Sequence, residues 1–224
     1  MKLGTGVIGG LNTRLVFCDS AHNLPVNMAT QTVNGMSFGQ PHVKRRVFVG
    51  LAVVTATGVE PTVMTIGGVS ATKHVGFARF GLYSLTSQIW SAPVPTGTTG
   101  TVQFSVPSND IDGGSVYVWA GYDQSSPLAL ATRTADDLGS PSSDLSVDVA
   151  GGGFAIAVAI SDHNLVWTFS FSSLTIDDAD LVPNFASAGA SVSKAVSGAP
   201  RSIIATRTST LGTFGVTGVA ASFR

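Results

Sequence analysis

The stretch SVYVWAGY, residues 115–122, alternates between two kinds of side chain. Small or branched apolar residues share one set of positions, and aromatic residues with a glycine share the other: Val116, Val118 and Ala120 against Tyr117, Trp119 and Gly121. Successive side chains of a β-strand point to opposite faces of its sheet. The alternation therefore predicts a strand with different neighbours on each face.

Similar apolar runs recur on both sides of this stretch. The longest, RRVFVGLAVVT at residues 45–55, predicts a central strand that is buried on both faces. The run TVMTIGGVSATKHVGF at residues 62–77 predicts a hairpin that turns at Gly67-Gly68, because glycine accepts the positive φ angles of a tight hairpin turn. Helical spacing of apolar residues is nearly absent, so the pattern favours strands throughout.

About a dozen strand candidates follow one another at short intervals, with turn residues between them. Parallel strands need long crossover connections, usually helices, and no segment of helical length is present. The sequence therefore predicts an all-β protein: an antiparallel β-sandwich, jelly-roll-like, with little or no helix.

No change in composition marks a linker, so residues 30–224 are predicted to form a single β-sandwich domain. Residues 1–29 stand apart, because the segment DSAHNLPVNMA at residues 19–29 has no regular pattern. Two interpretations stay open for residues 1–29: an N-terminal arm that lies on a neighbouring molecule, or an extra edge strand of the same domain.

The charge composition excludes several classes of protein. Lys and Arg number 12 and Asp and Glu number 13, which gives a net charge of -1. Binding to nucleic acid through a basic surface is therefore not expected. Charged residues make up 11% of the chain, against about 25% in an average globular protein. Such low charge favours association, so we expect a chain that belongs to an assembly or presents a neutral polar surface.

The sequence has no feature of export or membrane insertion. The segment MKLGTGVIGGLNTR lacks the apolar core and cleavage site of a signal peptide. The longest apolar runs are too short to cross a bilayer. We therefore expect synthesis in the cytoplasm and no membrane partner.

No catalytic or metal-binding motif is visible, so the sequence predicts no enzyme activity and no cofactor. The four histidines show no metal-ligand spacing: His22, His42, His74 and His163. Cys18 is the single cysteine and is expected to act as a small buried apolar residue. Glu60 is the single glutamate, and no Ser/His/Asp arrangement stands out.

Two acidic clusters offer candidate cation ligands. Asn109, Asp110 and Asp112 precede Gly113, which partly matches a calcium loop but lacks its distant bidentate glutamate. The second cluster contains Asp177, Asp178 and Asp180. Each cluster is also explained as a turn or as a solvated loop, which is the interpretation that the sequence favours.

The aromatic residues are candidates for glycan contact, because sugars stack on exposed aromatic rings. The candidates are Trp90, Trp119 and Trp167, with Tyr117 and Tyr122 nearby. The alternative is that these rings pack between two sheets, as aromatic residues of sandwiches usually do. The basic run of residues 44–46 is expected to lie at the start of a strand with its charges in solvent.

Four segments carry a resemblance to a known kind of protein: RRVFVGLAVV, VMTIGGVSATKHV, IWSAPVPTGTTGTVQFSV and SVYVWAGY. The C-terminal TGVAASFR adds to it. Together, over about residues 30–224, they resemble a β-sandwich protein of tailed phages, prophages and gene-transfer particles of α-proteobacteria. Such proteins are head decorations, head fibres or tail-tip proteins. Residues 1–29 fall outside the resemblance.

The resemblance implies a non-enzymatic virion component that acts through protein–protein assembly. It implies other virion proteins as partners, a homo-oligomer with a trimer favoured, and a location in the virion after synthesis in the host cytoplasm. It supplies no family active-site residues. The alternative is a carbohydrate-binding module that recognises host-surface glycans.

Overall fold

The computed structural model describes residues 15–55, 59–79, 84–107, 111–122, 127–135, 142–145, 147–149, 153–162, 168–171, 174–182, 185–192, 199–201, 204–208 and 216–223. These residues contain strands and no helix, and every strand pair is antiparallel. The predicted all-β, sandwich-like class is therefore confirmed. The nineteen described strand segments exceed the dozen predicted, partly because several are only two to four residues long.

Residues 15–122, the N-terminal half, form two sheets. The strands are β1 Leu15–Ala21, β2 Thr30–Ser37, β3 Arg45–Thr55, β4 Val63–Ile66, β5 Val69–Ser70, β6 Thr72–Arg79, β7 Ser84–Pro93, β8 Thr99–Ser105 and β9 Ile111–Tyr122. Inner sheet 1 has the order β1-β9-β3-β7-β6, and outer sheet 1 has the order β2-β8-β4-β5. The predicted hairpin is present only near its turn, where β4 and β5 pair around Gly67-Gly68. The rest of its predicted second strand, β6, pairs with β7 in inner sheet 1 instead.

Residues 127–223, the C-terminal half, form a second set of sheets. The strands are β10 Pro127–Ala135, β11 Ser142–Asp144, β12 Val147–Val149, β13 Phe154–Asp162, β14 Thr168–Phe171, β15 Thr175–Val182, β16 Phe185–Val192, β17 Ala199–Arg201, β18 Ile204–Thr208 and β19 Val216–Phe223. Inner sheet 2 has the order β10-β19-β13-β16-β15. The remaining strands form a three-stranded sheet, β11-β18-β14, and a two-stranded sheet, β12-β17, which together we call outer sheet 2.

The two halves repeat one strand order. In the first half, β5 and β6 count as one strand that passes between sheets; in the second half, β11 with β12 and β17 with β18 each count as one interrupted strand. With that numbering, each half has an inner sheet of order 1-8-3-6-5 and an outer sheet that begins 2-7-4. This is the double Greek-key order of a jelly roll. Register shifts also recur in equivalent pairs: in the first strand of each half at Phe17/Asp19 and Pro127/Ala129, and in the fifth at Lys73/Val75 and Ile176/Asp178. The chain therefore contains the jelly roll twice.

The halves pack through their inner sheets in a reciprocal way. Strand β6 of the first half contacts β10 and β19, and β15, its equivalent in the second half, contacts β1 and β9 through side chains. Strand β3 meets β13 near the centre. The two halves therefore bury the same face of the repeated fold, the inner sheet, against each other.

Three apolar cores separate the layers. The N-half core lies between the two sheets of the first half, and the C-half core lies on the outer side of inner sheet 2. The central core lies between the two inner sheets and includes the mutually packed rings of Phe48, Phe154 and Phe223. Both inner sheets are thus covered on both faces.

Strand β3 shows how the sequence produces this layering. Val47, Val49, Leu51 and Val53 face the N-half core, whereas Phe48, Ala52 and Val54 face the central core. Gly50 lies where β3 and β13 meet, and a Cβ there would come within 2.4 Å of Val158 Cγ2. The prediction that residues 45–55 form a strand buried on both faces is therefore correct.

Of residues 1–29, the structure describes residues 15–29. Leu15–Ala21 is the edge strand of inner sheet 1, and Leu15 belongs to the central core. The segment after it is held by backbone hydrogen bonds from Leu24 to Gly114 and from Asn27 to Ile111.

Candidate functional site

The tryptophans proposed for glycan contact lie in the interior where the structure describes them. Trp119 is 0% exposed, and its Nε1 donates to Asp177 Oδ2 at 2.7 Å. Trp90 is 3% exposed, and its Nε1 donates to Gln88 Oε1 at 2.8 Å. Neither ring presents a free face on which a sugar could stack. Trp167 lies outside the described residues.

The tyrosines near them also have structural partners. Tyr117 is fully buried, and its hydroxyl lies 2.7 Å from Ser187 Oγ in the opposite half. Tyr122 is half-buried and donates to the carbonyl of Gln40 at 3.1 Å. Among the described residues, the aromatic candidates therefore bond to and pack against other parts of the protein. They do not form an exposed surface on which a sugar could stack.

A chain of polar side chains joins the two halves at the edge formed by β1, β9 and β15. His22, just after β1, places Nδ1 3.1 Å from Ser115 Oγ and Nε2 2.9 Å from Asp178 Oδ2. Ser20 also donates to Asp178, and Ser187 donates to Ser115 at 3.0 Å. We call the set Ser20, His22, Ser115, Tyr117, Asp178 and Ser187 the polar junction.

The polar junction contains a serine, a histidine and an aspartate in contact, which the sequence did not indicate. They are separated by 93 and 156 positions, so spacing gave no signal. A serine nucleophile must reach its substrate. Ser115 is 0% exposed and also accepts a hydrogen bond from Ser187, so its hydroxyl is enclosed. The contacts therefore serve to link β1 and β9 to β15 and β16.

The pKa values of Asp177 and Asp178, at this edge, are shifted in opposite directions. Burial raises the pKa of Asp177, against the opposing effect of hydrogen bonds from Ser191 and Trp119. Burial also acts to raise the pKa of Asp178, but hydrogen bonds from Ser20, His22 and the Ala179 N–H outweigh it and hold that pKa below its usual value. Asp178 is thus stabilised as the anion.

The structure describes only part of the two acidic clusters that were candidates for cation ligands. Asp177 and Asp178 already accept hydrogen bonds from Trp119, Ser20 and His22. The side chain of Asp180 and all of Asn109 and Asp110 lie outside the described residues, whereas Asp112 is half-buried on β9. Within the described part of the chain, no three His, Cys, Asp or Glu side chains come together to hold a metal ion.

The other histidines and the cysteine have local roles. His74 packs on the rings of Phe48 and Phe223, and its Nε2 lies 2.6 Å from Ser91 Oγ. Burial, aided by Arg46, lowers the pKa of His74 to about 4. Burial also raises the pKa of the half-buried Cys18 thiol, which makes it a poor nucleophile. His163 lies outside the described residues.

Within the basic run of residues 44–46, Arg45 differs most from the prediction that these charges lie in solvent. Its side chain is 1% exposed, and its guanidinium donates to the carbonyls of Val94 and Gly39 at 2.7 and 2.8 Å. It also donates to the carbonyls of Thr96 and Gly97 at 2.7 and 2.8 Å. These acceptors lie up to 52 positions away, so the sequence gave no sign of them.

An open groove lies beside the segment that Arg45 holds. Its volume is about 470 Å³. It is bounded by the Gly67-Gly68 turn on one side and by residues 94–101 on the other. The residues that line it are Phe38, Gly67, Gly68, Val69, Val94, Pro95, Thr96, Thr99, Gly100 and Thr101. None of these lining residues carries a charge.

Comparison with protein-family models, with curated proteins and with solved structures found no match to this chain. In the part of the chain that the structure describes, no helix has the length and hydropathy needed to cross a bilayer.

Proposed function

We propose that this protein is a non-enzymatic structural component of a phage virion, either a head decoration or head fibre or a tail-tip or fibre protein. The observation that carries the proposal is the duplicated jelly roll, in which both inner sheets are covered on both faces. Such a stack of packed layers suits a rigid building block. Jelly rolls occur in viral capsid proteins and in lectins, so the fold alone does not select between assembly and sugar binding.

Two further features favour assembly over catalysis. The enclosed Ser115 makes the serine, histidine and aspartate of the polar junction a structural link. The low charge of the chain reduces the cost of bringing many copies together, because few ions lose their hydration at a contact. The resemblance of the sequence segments to phage particle proteins gives the kind of assembly, with other virion proteins as partners and a homotrimer as the favoured oligomer.

Immunogold electron microscopy of purified particles tests the proposal. Antibody raised against this chain is expected to label particles regularly, over the head for a decoration or head fibre and at the tail end for a tail-tip protein. The same antibody preadsorbed with the purified chain is the control. Particles without label, from cells in which the chain is expressed, would contradict the proposal.

A deletion tests the N-terminal arm separately. Removal of residues 1–29 would take away β1, with Leu15 of the central core and His22 of the polar junction, and so would damage the fold. Removal of residues 2–14 spares every described strand. We expect this shorter deletion to abolish incorporation into particles while the free protein keeps its thermal midpoint. Normal incorporation would contradict the role of an arm.

Recognition of host-surface glycans is the second candidate function. Trp90 and Trp119 give it no support, because their rings are covered. The groove beside the Gly67-Gly68 turn is the observation that favours it, since it is open, uncharged and lined partly by hydroxyl groups.

A further inference from the structure

The buried guanidinium of Arg45 holds residues 94–97, which form one wall of the groove, through hydrogen bonds to their carbonyls. A guanidinium that is buried loses its hydration, which destabilises the folded chain unless its N–H groups find other acceptors. Charge-assisted hydrogen bonds to four carbonyls offset that loss. Three of those carbonyls belong to Val94, Thr96 and Gly97, so Arg45 fixes the 94–97 segment in one conformation. The groove is therefore formed before any ligand arrives.

Glycines allow close packing along the lining of the groove. A Cβ at Gly100 would lie 2.3 Å from Phe38 Cε2, and a Cβ at Gly67 would lie 3.1 Å from Val94 Cγ1. Gly67 and Gly68 have φ angles of 59° and 78°, which few other residues adopt. The backbone of this turn thus lines the groove, and the Gly67 N–H donates to the carbonyl of Thr101 at 2.8 Å.

The lining combines apolar surface with neutral hydroxyl groups. Val69 and Pro95 supply exposed apolar edges, and Thr96 and Thr99 supply exposed hydroxyls. A charged ligand would give up its hydration here without meeting an opposite charge among the lining residues. A pyranose ring has apolar C–H faces and neutral hydroxyls on its rim, which match this lining. The volume lies within the range of about 300–1,000 Å³ that is typical of ligand sites.

We propose that the groove between the Gly67-Gly68 turn and residues 94–101 is a binding site for a neutral glycan, and that it accommodates one or two pyranose rings. This site differs from the tryptophans that the sequence indicated. The inference rests on the second candidate function, glycan recognition, and its failure would leave the structural role in a virion untouched.

Titration of the ¹⁵N-labelled full chain with neutral oligosaccharides tests the site. The probes are maltotriose, cellotriose, mannotriose and chitotriose, with trigalacturonic acid as the anionic comparison. At least one neutral probe is expected to shift the amide signals of Gly67, Gly68 and Gly100, with a dissociation constant on the order of 1 mM, as suits a small open site. No shift with any neutral probe, or shifts confined to other residues, would overturn the proposal. An equal response to trigalacturonic acid would do the same.

A matched pair of glycine variants locates the ligand. Gly68 and Gly35 both have positive φ angles, 78° and 75°, and a Cβ at either would meet nothing within 4 Å. Asparagine tolerates this conformation better than other residues. Gly68→Asn adds a side chain at a residue that lines the groove and is expected to weaken binding by more than about tenfold, which is the loss of roughly 1.4 kcal/mol. Gly35→Asn lies outside the groove and should bind normally. Equal affinities of the two variants would refute the site.

A threonine pair tests the hydroxyl contact. Thr99→Val keeps the shape of the side chain and removes its hydroxyl, and it is expected to raise the dissociation constant about fivefold, as for one neutral hydrogen bond. Thr72→Val makes the same change at an exposed position of β6 outside the lining. If Thr99→Val and Thr72→Val bind equally well, the hydroxyl of Thr99 does not contact the sugar, and the chemical basis of the proposal fails.

Discussion

The N-half core and the C-half core share a strand order and differ in almost every side chain. The N-half core is filled by large residues, among them Trp90, Phe38, Phe104, Met36 and Met64. On inner sheet 2, the face toward the C-half core is formed by alanines: Ala155, Ala157, Ala159, Ala186, Ala188, Ala190 and Ala220. The residues that cover these alanines are larger: Leu145, Val147 and Val149.

The difference shows that one topology accommodates two ways of filling the space between sheets. In the N-half core, both facing sheets contribute bulk. In the C-half core, one side is nearly flat and the other supplies the bulk, so the cover approaches the backbone closely: a Cβ at Gly218 would lie 2.9 Å from Leu145 Cδ1. The first core should therefore be sensitive to lost volume and the second to added volume.

Loss of volume in the N-half core should have the largest effect. Phe104→Ala removes a ring that is 1% exposed and is expected to lower the free energy of unfolding by about 3–5 kcal/mol. Gln103→Ala, one position away on the exposed face of β8, should change it by less than about 0.5 kcal/mol. Urea unfolding followed by tryptophan fluorescence measures both. Similar losses in the two variants would show that the N-half core does not depend on its large side chains.

Added volume in the C-half core should have the next largest effect. Ala188→Leu enlarges a side chain that is 0% exposed and is expected to cost about 1–3 kcal/mol. Ala179→Leu is the control, because Ala179 is exposed on β15. The same urea titrations apply. A stable Ala188→Leu variant would mean that Leu145, Val147 and Val149 shift to admit the larger side chain. The two cores would then differ less in their response to added volume than their packing indicates.

Trp119 and Trp90 allow a hydrogen bond between the two halves to be compared with one inside a half. Trp119→Phe removes the donor to Asp177 in the other half and should cost about 1–2 kcal/mol. Trp90→Phe removes a donor to Gln88 in the same half at a similar cost. Native-state hydrogen exchange distinguishes them: Trp119→Phe should deprotect β15 and β16 selectively, and Trp90→Phe should not. Deprotection of the N-terminal half by Trp119→Phe, with β15 unchanged, would contradict a role for this bond between halves.

The smallest expected effect is a dependence on pH at the polar junction. The pKa of Asp178 is lower in the folded chain than its ordinary value of 3.8, so the stability that it contributes is present above that value and is lost as the pH falls through the folded pKa. Because the pair with His22 is partly exposed, we expect its contribution to be below about 1 kcal/mol.

Asp178→Asn should therefore lower the stability near neutral pH and reduce its decline below pH 3.8. Asp148→Asn, at an exposed position of β12, is the control. Thermal unfolding between acid and neutral pH measures both variants. Parallel profiles for the wild type and Asp178→Asn would show that the carboxylate of Asp178 is not stabilised by its partners.

The strand class could be predicted because it depends on local alternation. Residues 45–55 and 115–122 have patterns that a strand alone explains, and both form strands buried on two faces. The duplication could not be predicted, since the halves share the order in which strands pair and not the residues that fill them. A core of methionine and phenylalanine and a core of alanine show no repeat when their sequences are compared.

The candidate site was less accessible to prediction because it depends on distant contacts. His22, Ser115 and Asp178 meet only after three strands from two halves have assembled. Arg45 belongs to a basic run that commonly lies at a surface, and only the fold brings four carbonyls around it. The groove likewise depends on a turn and a loop about 30 residues apart in sequence, whose proximity comes from the pairing of β4 with β8.

The duplicated jelly roll has a consequence for synthesis on the ribosome. All strands of inner and outer sheet 1 precede residue 123, so they can pair once residue 122 has left the ribosome. Inner sheet 1 then presents Phe48, Tyr117 and Trp119 to water until the second half covers them. At about 5–20 residues per second, the next hundred residues take roughly 5–20 seconds. During that interval the nascent chain exposes the apolar face of inner sheet 1. A second nascent chain or a chaperone can bind that face before the C-terminal half covers it.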